Sequence, residues 1–204
     1  MLSPIFTIMT RILSEAETIL KLPDFRWSLE RYHAAIEAGI LTEYDKVELL
    51  FGKLVPMSPV GIAHGKVVKK MNRLFNGLFP EDEYTIGVQD PITLVDDSEP
   101  EPDLFIAKGP LESYDHHPYP EDLLLVVEVS DSTLARDRGA KQFSYAIAGI
   151  QEYWIINVYE KQIERFTGPI PERAGYETKE VFKSGDTFET LHLGEFKVDD
   201  LIIE

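Results

Sequence analysis

The sequence predicts an α/β protein with a central mixed β-sheet flanked by helices. Three observations carry that expectation. Leu123-Leu124-Leu125-Val126-Val127-Glu128-Val129 is an apolar run without polar alternation, the pattern of a strand covered on both faces. Residues 64–79 set Val67, Val68, Met71, Leu74, Phe75, Leu78 and Phe79 on one helical stripe. The order along the chain is helix, strands, helix, strands, helix, strands, which packs helices on a sheet. Within the apolar run, Glu128 is out of place. An unpaired ionised carboxylate there is costly, so it must neutralise, pair with a cation or hold a metal.

Each element follows from local chemistry. Residues 1–24 read as an N-terminal leader with a helical piece near 14–20, and residues 25–204 as a single domain. Ser28 is placed to cap a helix in which Leu29, Tyr32, Ile36 and Ile40 keep helical spacing, and Gly39 supplies its stop. Residues 47–51 and 53–57 flank Gly52 as a hairpin. The 64–79 helix carries Lys66, Lys69, Lys70 and Arg73 on its other side, with no acid among them, and Pro80 ends it. Residues 84–88 and 92–95 read as strands on either side of Asp90-Pro91. An acidic loop, 96–102, leads into a short strand at 103–107, and 109–122 with its prolines and His116-His117 is a surface loop. After the central strand, a polar loop at 130–133 precedes a helix at about 137–148 that stops at Gly149. The apolar strand 152–158 pairs with 161–166 across Tyr159-Glu160. Small strands follow over 176–193, then a short terminal piece at 198–203.

At 204 residues the chain has the length of one domain, enough to bury about 70% of its unfolded surface. Its 44% hydrophobic and 11% aromatic content excludes a disordered chain. The absence of cysteine excludes disulfides, cysteine-ligated zinc and thiol nucleophiles, and suits a reducing cytoplasm. Arg11, the first basic residue, follows the apolar start, the reverse of a secretory signal, and no run has the length of a membrane span. The expectation is a cytoplasmic protein without a membrane partner. Twenty Lys and Arg against 36 Asp and Glu give −16, and an acidic surface repels nucleic acid in bulk, so nucleic-acid chemistry needs local cations.

Two acids and a lysine around a central sheet are the parts of a metal-dependent phosphodiesterase site. Asp103, directly after Pro102, opens one strand and Glu128 lies in the next. Phosphodiester hydrolysis needs a divalent cation to polarise a phosphoryl oxygen and acidify the attacking water. Mg²⁺, or Mn²⁺ as its substitute, prefers hard oxygen ligands, which suits Asp103, Glu128 and the Val129 carbonyl. Asp137, Lys141 and Tyr145 stand at i, i+4 and i+8 and share one helix face, which meets the carboxylates if the helix folds back over the strand end. A lysine there orients the water and offsets charge on phosphorus.

These residues carry a resemblance. Pro102-Asp103 followed by Glu128-Val129-Ser130 resembles the PD-(D/E)XK nuclease superfamily. More narrowly, the chain is similar to the Uma restriction-endonuclease family. The segments that carry it are 126–133, Asp137 to Lys141, Tyr145-Ala146 and Gly149 to Ile156, with 48–59 and His64 upstream. The resemblance implies a restriction-endonuclease-like core and Mg²⁺-dependent cleavage of DNA. It implies Asp103 and Glu128 as metal ligands, Lys141 as the catalytic lysine and Glu48 as a supporting acid. Analogy with the fold class adds a homodimer. One departure stands out: the superfamily pattern puts lysine two residues after the acid, and this chain has Ser130 there, so either the lysine comes from the helix, as the family resemblance implies, or the site is incomplete.

Other readings stand beside these. Glu128 also fits a buried structural pair with Lys141 or Arg138, and Asp103 a strand-entry turn. Asp137 and Lys141 have the spacing of an ordinary helical salt bridge. Glu48 alternates with Val47 and Leu49 as a solvated strand residue does. His64 is either a site neighbour or a capping residue, and Lys66, Lys69, Lys70 and Arg73 are either phosphate contacts or a solvated helix face. Tyr145, Tyr153 and Trp154 read as core. A catalytically inactive nuclease-fold module, acting by protein or nucleic-acid binding, is the alternative function.

Overall fold

The computed structural model describes residues 25–203; the leader expected over 1–24 lies outside the described residues. A six-stranded mixed sheet in the order β3-β4-β5-β6-β7-β8 forms the centre. Its strands are β3 (Tyr84–Gly87), β4 (Leu104–Lys108), β5 (Leu123–Ser130), β6 (Glu152–Asn157), β7 (Gln162–Ile170) and β8 (Gly175–Lys183). Every pairing is antiparallel except β5 with β6, which is parallel. A parallel pair needs a crossover. Here it consists of α3 (Leu134–Arg136), a π-helical turn (Asp137–Lys141) and α4 (Gln142–Ala148).

The N-terminal half supplies α1 (Leu29–Glu37), the hairpin β1 (Val47–Leu50) with β2 (Lys53–Pro56), and α2 (Ile62–Leu78). As the sequence requires, the Ser28 hydroxyl caps α1 by accepting from the Arg31 N–H. A small antiparallel pair, β9 (Thr187–Glu189) with β10 (Glu195–Lys197), and α5 (Val198–Leu201) close the chain.

All eight residues of β5 are buried, so the unbroken apolar run reports a strand covered on both faces. Leu125, Val127 and Val129 face α2, where they pack with Val67, Val68, Met71, Phe75 and Trp154. Val126 faces the opposite layer, with Tyr145, Ile150, Tyr153 and Phe166. Strand alternation therefore turns Glu128 toward the crossover helices and away from α2.

Three elements differ from expectation. Residues 92–95 form no strand: Pro91 lacks an N–H for a ladder, and Leu94 makes a single bridge to Ser98 around Asp97, whose φ is 53°. The crossover begins at Leu134 rather than 137 and contains the π turn, in which the Gln142 N–H reaches the Asp137 carbonyl. Tyr176 and its neighbours belong to a nine-residue strand of the main sheet rather than to a set of small strands. No helix among the described residues is long and apolar enough to cross a membrane.

Candidate active site

Asp103, Glu128, Lys141, Glu48 and His64 line one cavity of about 220 Å³ at the end of β5. The sheet brings the first two together. Asp103 immediately precedes β4, and Leu104 pairs with Val127 on β5. The Asp103 Oδ2 accepts the Val129 N–H at 2.8 Å, and its Oδ1 accepts the Gln89 side-chain amide at 3.2 Å. His64 Nε2 meets the same Oδ2 at 2.9 Å. A residue in a strand sends its N–H and C=O to the same edge, so the Val129 carbonyl faces the Asp103 side. The neighbouring Ser130 carbonyl faces the opposite edge, where it accepts the Val158 N–H at 3.0 Å.

Lys141 fulfils the geometric expectation that the helix folds back over the strand end. Its Nζ donates to Glu128 Oε1 at 2.8 Å and stands 3.2 Å from Glu48 Oε2. Glu128 is 3% exposed, Lys141 4% and Glu48 1%. Glu48 is thus buried at the site, not solvated, because β1 packs on the segment before β4: Leu49 bridges Glu99, and the Glu101 N–H donates to Glu48 Oε2 at 3.3 Å. The other oxygen, Oε1, is buried without a hydrogen bond among the described residues. Arg138, the alternative partner for Glu128, pairs with Glu164 instead. No Asp137–Lys141 salt bridge forms among the described residues. Asp137 Oδ2 instead accepts the Ser130 and Thr133 hydroxyls, each at 2.5 Å.

The electrostatics follow from burial. Burial pushes the Glu128 carboxyl up to about 8; Lys141 pulls it back, while Asp137, Asp103 and Glu48 add to the rise. Burial lowers the Lys141 ammonium, but Glu128 and Glu48 outweigh it, and its pKa lies above the ordinary lysine value. The two shifts pull against each other, since the first favours a neutral Glu128 and the second an ionised one. The charged lysine is the firm part, because two acids hold it. His64 is opposed by burial, yet the bond to Asp103 leaves its pKa raised.

Residue by residue, the structure brings Asp103, Glu128, Lys141, Glu48 and His64 to one cavity and adds side chains that the sequence reading did not place there. Tyr145, read as core, is fully buried but donates its hydroxyl to Glu128 Oε1 at 2.6 Å. The available signal was its i+4 spacing from Lys141, since a buried tyrosine hydroxyl needs a partner. Gln89, Glu101 and Arg136 also reach the cavity, and no local pattern marked them. The basic face of α2 does not. His64, Val68, Met71 and Phe75 share the inward side, and the spacing sends Lys66, Lys69 and Arg73 outward, where they are exposed. Lys70 is structural: its Nζ donates to the Asp199 and Ile202 carbonyls, at 2.6 Å each, at the end of α5.

A metal at this site has hard oxygens to meet. Asp103 and Glu128 line the same cavity, the Val129 carbonyl faces Asp103, and Glu128 Oε2 accepts no hydrogen bond among the described residues. Two carboxylates and a carbonyl fit Mg²⁺, which keeps much of its shell for water and phosphate. No three acidic, histidine or cysteine side chains among the described residues stand together as a ready-made metal cage.

Comparisons with known proteins bear on the fold and the family. The chain is similar to a solved structure described as a "putative nuclease belonging to DUF820 from Anabaena variabilis ATCC 29413". The TM-score is 0.65 at 13% identity, over 85% of this chain and 96% of that one. At that identity the likeness speaks to the fold alone. Among curated proteins, none matches. The family model Uma2, described as "Putative restriction endonuclease", matches residues 29–199, and the chain belongs to that family.

Proposed function

We propose that the chain is a metal-dependent endonuclease that hydrolyses DNA phosphodiester bonds. In this reading Asp103, Glu128 and the Val129 carbonyl hold Mg²⁺, Lys141 is the catalytic lysine and Glu48 supports it. The observation that carries the reading is the Lys141 ammonium 2.8 Å from Glu128 and 3.2 Å from Glu48. A lysine from the following helix thereby serves the acid that has Ser130, not lysine, two residues on. The same reading takes the cytoplasm as compartment and a homodimer as working form, the latter from the fold class alone.

The chain's own groups have distinct tasks. Lys141 stays protonated, so it donates hydrogen bonds and offsets charge on phosphorus and does not act as a base. Tyr145 fixes Glu128 Oε1 and leaves Oε2 for a ligand. Gln89, His64 and the Val129 N–H fix Asp103. The bound ion supplies Lewis acidity to the phosphoryl oxygen and to the attacking water. Replacing Glu128 by Gln or Asp103 by Asn removes a ligand, and the expected fall in cleavage of a DNA substrate is roughly a thousandfold or more, with the circular dichroism spectrum unchanged. Cleavage that survives both substitutions rules the reading out.

Two observations favour a second reading, a catalytically inactive module that binds protein or nucleic acid. Lys141 is closed onto both acids, and the chain carries −16. That module neither binds Mn²⁺ at Glu128 nor cuts DNA, and turnover that depends on Glu128 excludes it.

A further inference from the structure

We infer that Arg136 receives the phosphodiester of the substrate at this cavity, a role that rests on the nuclease reading above. The cavity wall is strongly acidic: Glu48, Glu101, Asp103, Glu128, Asp131 and Asp137 all reach it. A phosphate brought to such a wall is repelled unless a cation meets it. Among the described residues, Lys141 and Arg136 are the lysine and arginine that line it. Lys141 is committed to two carboxylates. Arg136 is not.

The guanidinium of Arg136 offers five donors and makes one hydrogen bond among the described residues, from NH1 to the Pro56 carbonyl at 2.8 Å. It also forms an ion pair with Glu48 Oε1 at 3.8 Å, a separation too long for a hydrogen bond. Its Nε is buried with no acceptor among the described residues. A buried N–H without an acceptor costs free energy, and an oxyanion removes that cost. The planar fork of arginine matches two phosphate oxygens, and the side chain is 23% exposed, so it is held yet reachable.

Placement supports the assignment. Arg136 ends α3, one residue before the π turn that carries Lys141 to Glu128. The Pro56 bond ties it to β2, whose partner β1 carries Glu48. Gly61, where α2 starts, also lines the cavity with Asp131 beside it, and among the described residues no side-chain hydrogen bond caps that helix end. The acidic chain thus needs no broad basic surface: one arginine inside the cavity meets the phosphate that the carboxylates alone would repel.

The test is steady-state cleavage of a fluorescein-labelled DNA duplex with Mg²⁺ or Mn²⁺, between about 50 and 200 mM salt. Wild type, Arg136→Gln, Arg136→Lys and Arg73→Gln are compared. Arg136→Gln is expected to raise KM roughly tenfold or more, with a smaller change in kcat. The slope of log(kcat/KM) against log salt should fall by about one unit. A purely structural Arg136 would not move that slope. Arg73→Gln is expected to match wild type, since Arg73 lies on the outer side of α2. If Arg136→Gln fails to fold, Arg136→Lys carries the test: it keeps the charge and the salt slope but loses the fork, so KM rises. Wild-type cleavage with KM and slope unchanged in Arg136→Gln, or with KM unchanged in Arg136→Lys where that variant carries the test, overturns this inference and leaves the nuclease reading standing. A wild type that cuts no duplex with either metal overturns both.

Discussion

Replacing Lys141 by Met tests whether the lysine neutralises the buried acids in the metal-free protein. Methionine fills similar space and removes the ammonium that lies 2.8 Å from Glu128 and 3.2 Å from Glu48, two side chains exposed by only 3% and 1%. Breaking a buried pair by deleting one partner costs about 3–5 kcal/mol, a large share of the roughly 5–15 kcal/mol that holds a domain together. For a chain of this length that lowers Tm by about 10 °C or more. The pH dependence has a definite sign. The folded Glu128 carboxyl is raised from 4.5 to about 8, so the native state keeps a proton that the unfolded chain releases. Its contribution is full below about 4.5 and is lost as pH rises toward about 8. Without the opposing ammonium the rise is larger, so the penalty of Lys141→Met is greater near pH 8 than near pH 5.5. Urea unfolding followed by circular dichroism, in chelator and at both pH values, measures it. Adding Glu128→Gln to Lys141→Met should recover part of the loss, since a neutral amide no longer needs the cation. A Lys141→Met cost under about 1 kcal/mol at both pH values, with no coupling to Glu128→Gln, refutes the reasoning.

Two further outcomes follow from the same coordinates. Because a cation must displace the proton on Glu128, calorimetric Mn²⁺ affinity should rise up to about tenfold per pH unit toward pH 8 and then level off. It should vanish in Glu128→Gln; a pH-independent affinity would show Glu128 already ionised beside Lys141, and binding that survives in Glu128→Gln would place the metal elsewhere. Away from the site, a Cβ added at Gly87 would stand 2.1 Å from the ring of Phe105, which is 2% exposed. Gly87→Ala should therefore cost about 1–3 kcal/mol in urea unfolding, and a neutral substitution would show that the Phe105 ring moves aside freely.

Legibility in the sequence tracked the range of the interaction. The caps, the hairpin about Gly52 and the stripe on α2 are set by near neighbours, and they were readable. So was the double coverage of β5, since a strand with no polar face states its own burial. Residues 92–95 misled because Ile92 and Leu94 are buried and look like strand, while they belong to a loop that packs in one cluster with Phe105, Val126 and Tyr145. The direction of the basic cluster on α2 was readable too, since the apolar stripe turns Lys66, Lys69 and Arg73 outward, but charge alone does not say what such a face meets. Arg136 was opaque as a site residue, and Glu48 was marked only through the family resemblance, because each reaches the cavity through a contact distant in sequence, Glu48 through Glu101 and Arg136 through Pro56.

The replacement of the expected lysine by Ser130 has a structural logic. Glu128 and Ser130 are two residues apart on β5, so both point to the layer that holds the crossover. Ser130 gives its hydroxyl to Asp137, which also takes the Thr133 hydroxyl and whose own carbonyl accepts from Tyr153 at 3.0 Å. Asp137 is thereby pinned at the first position of the π turn. From that anchor the wider turn carries Lys141 to Glu128 Oε1, and one α-helical turn later Tyr145 reaches the same oxygen. In a plain helix Asp137 would stand over Lys141 and compete for it. The π turn separates them, as such insertions do where a helix must present side chains to a site. The strand position that lacks the lysine therefore anchors the segment that delivers another one, and the acid keeps its cation although the short motif is broken.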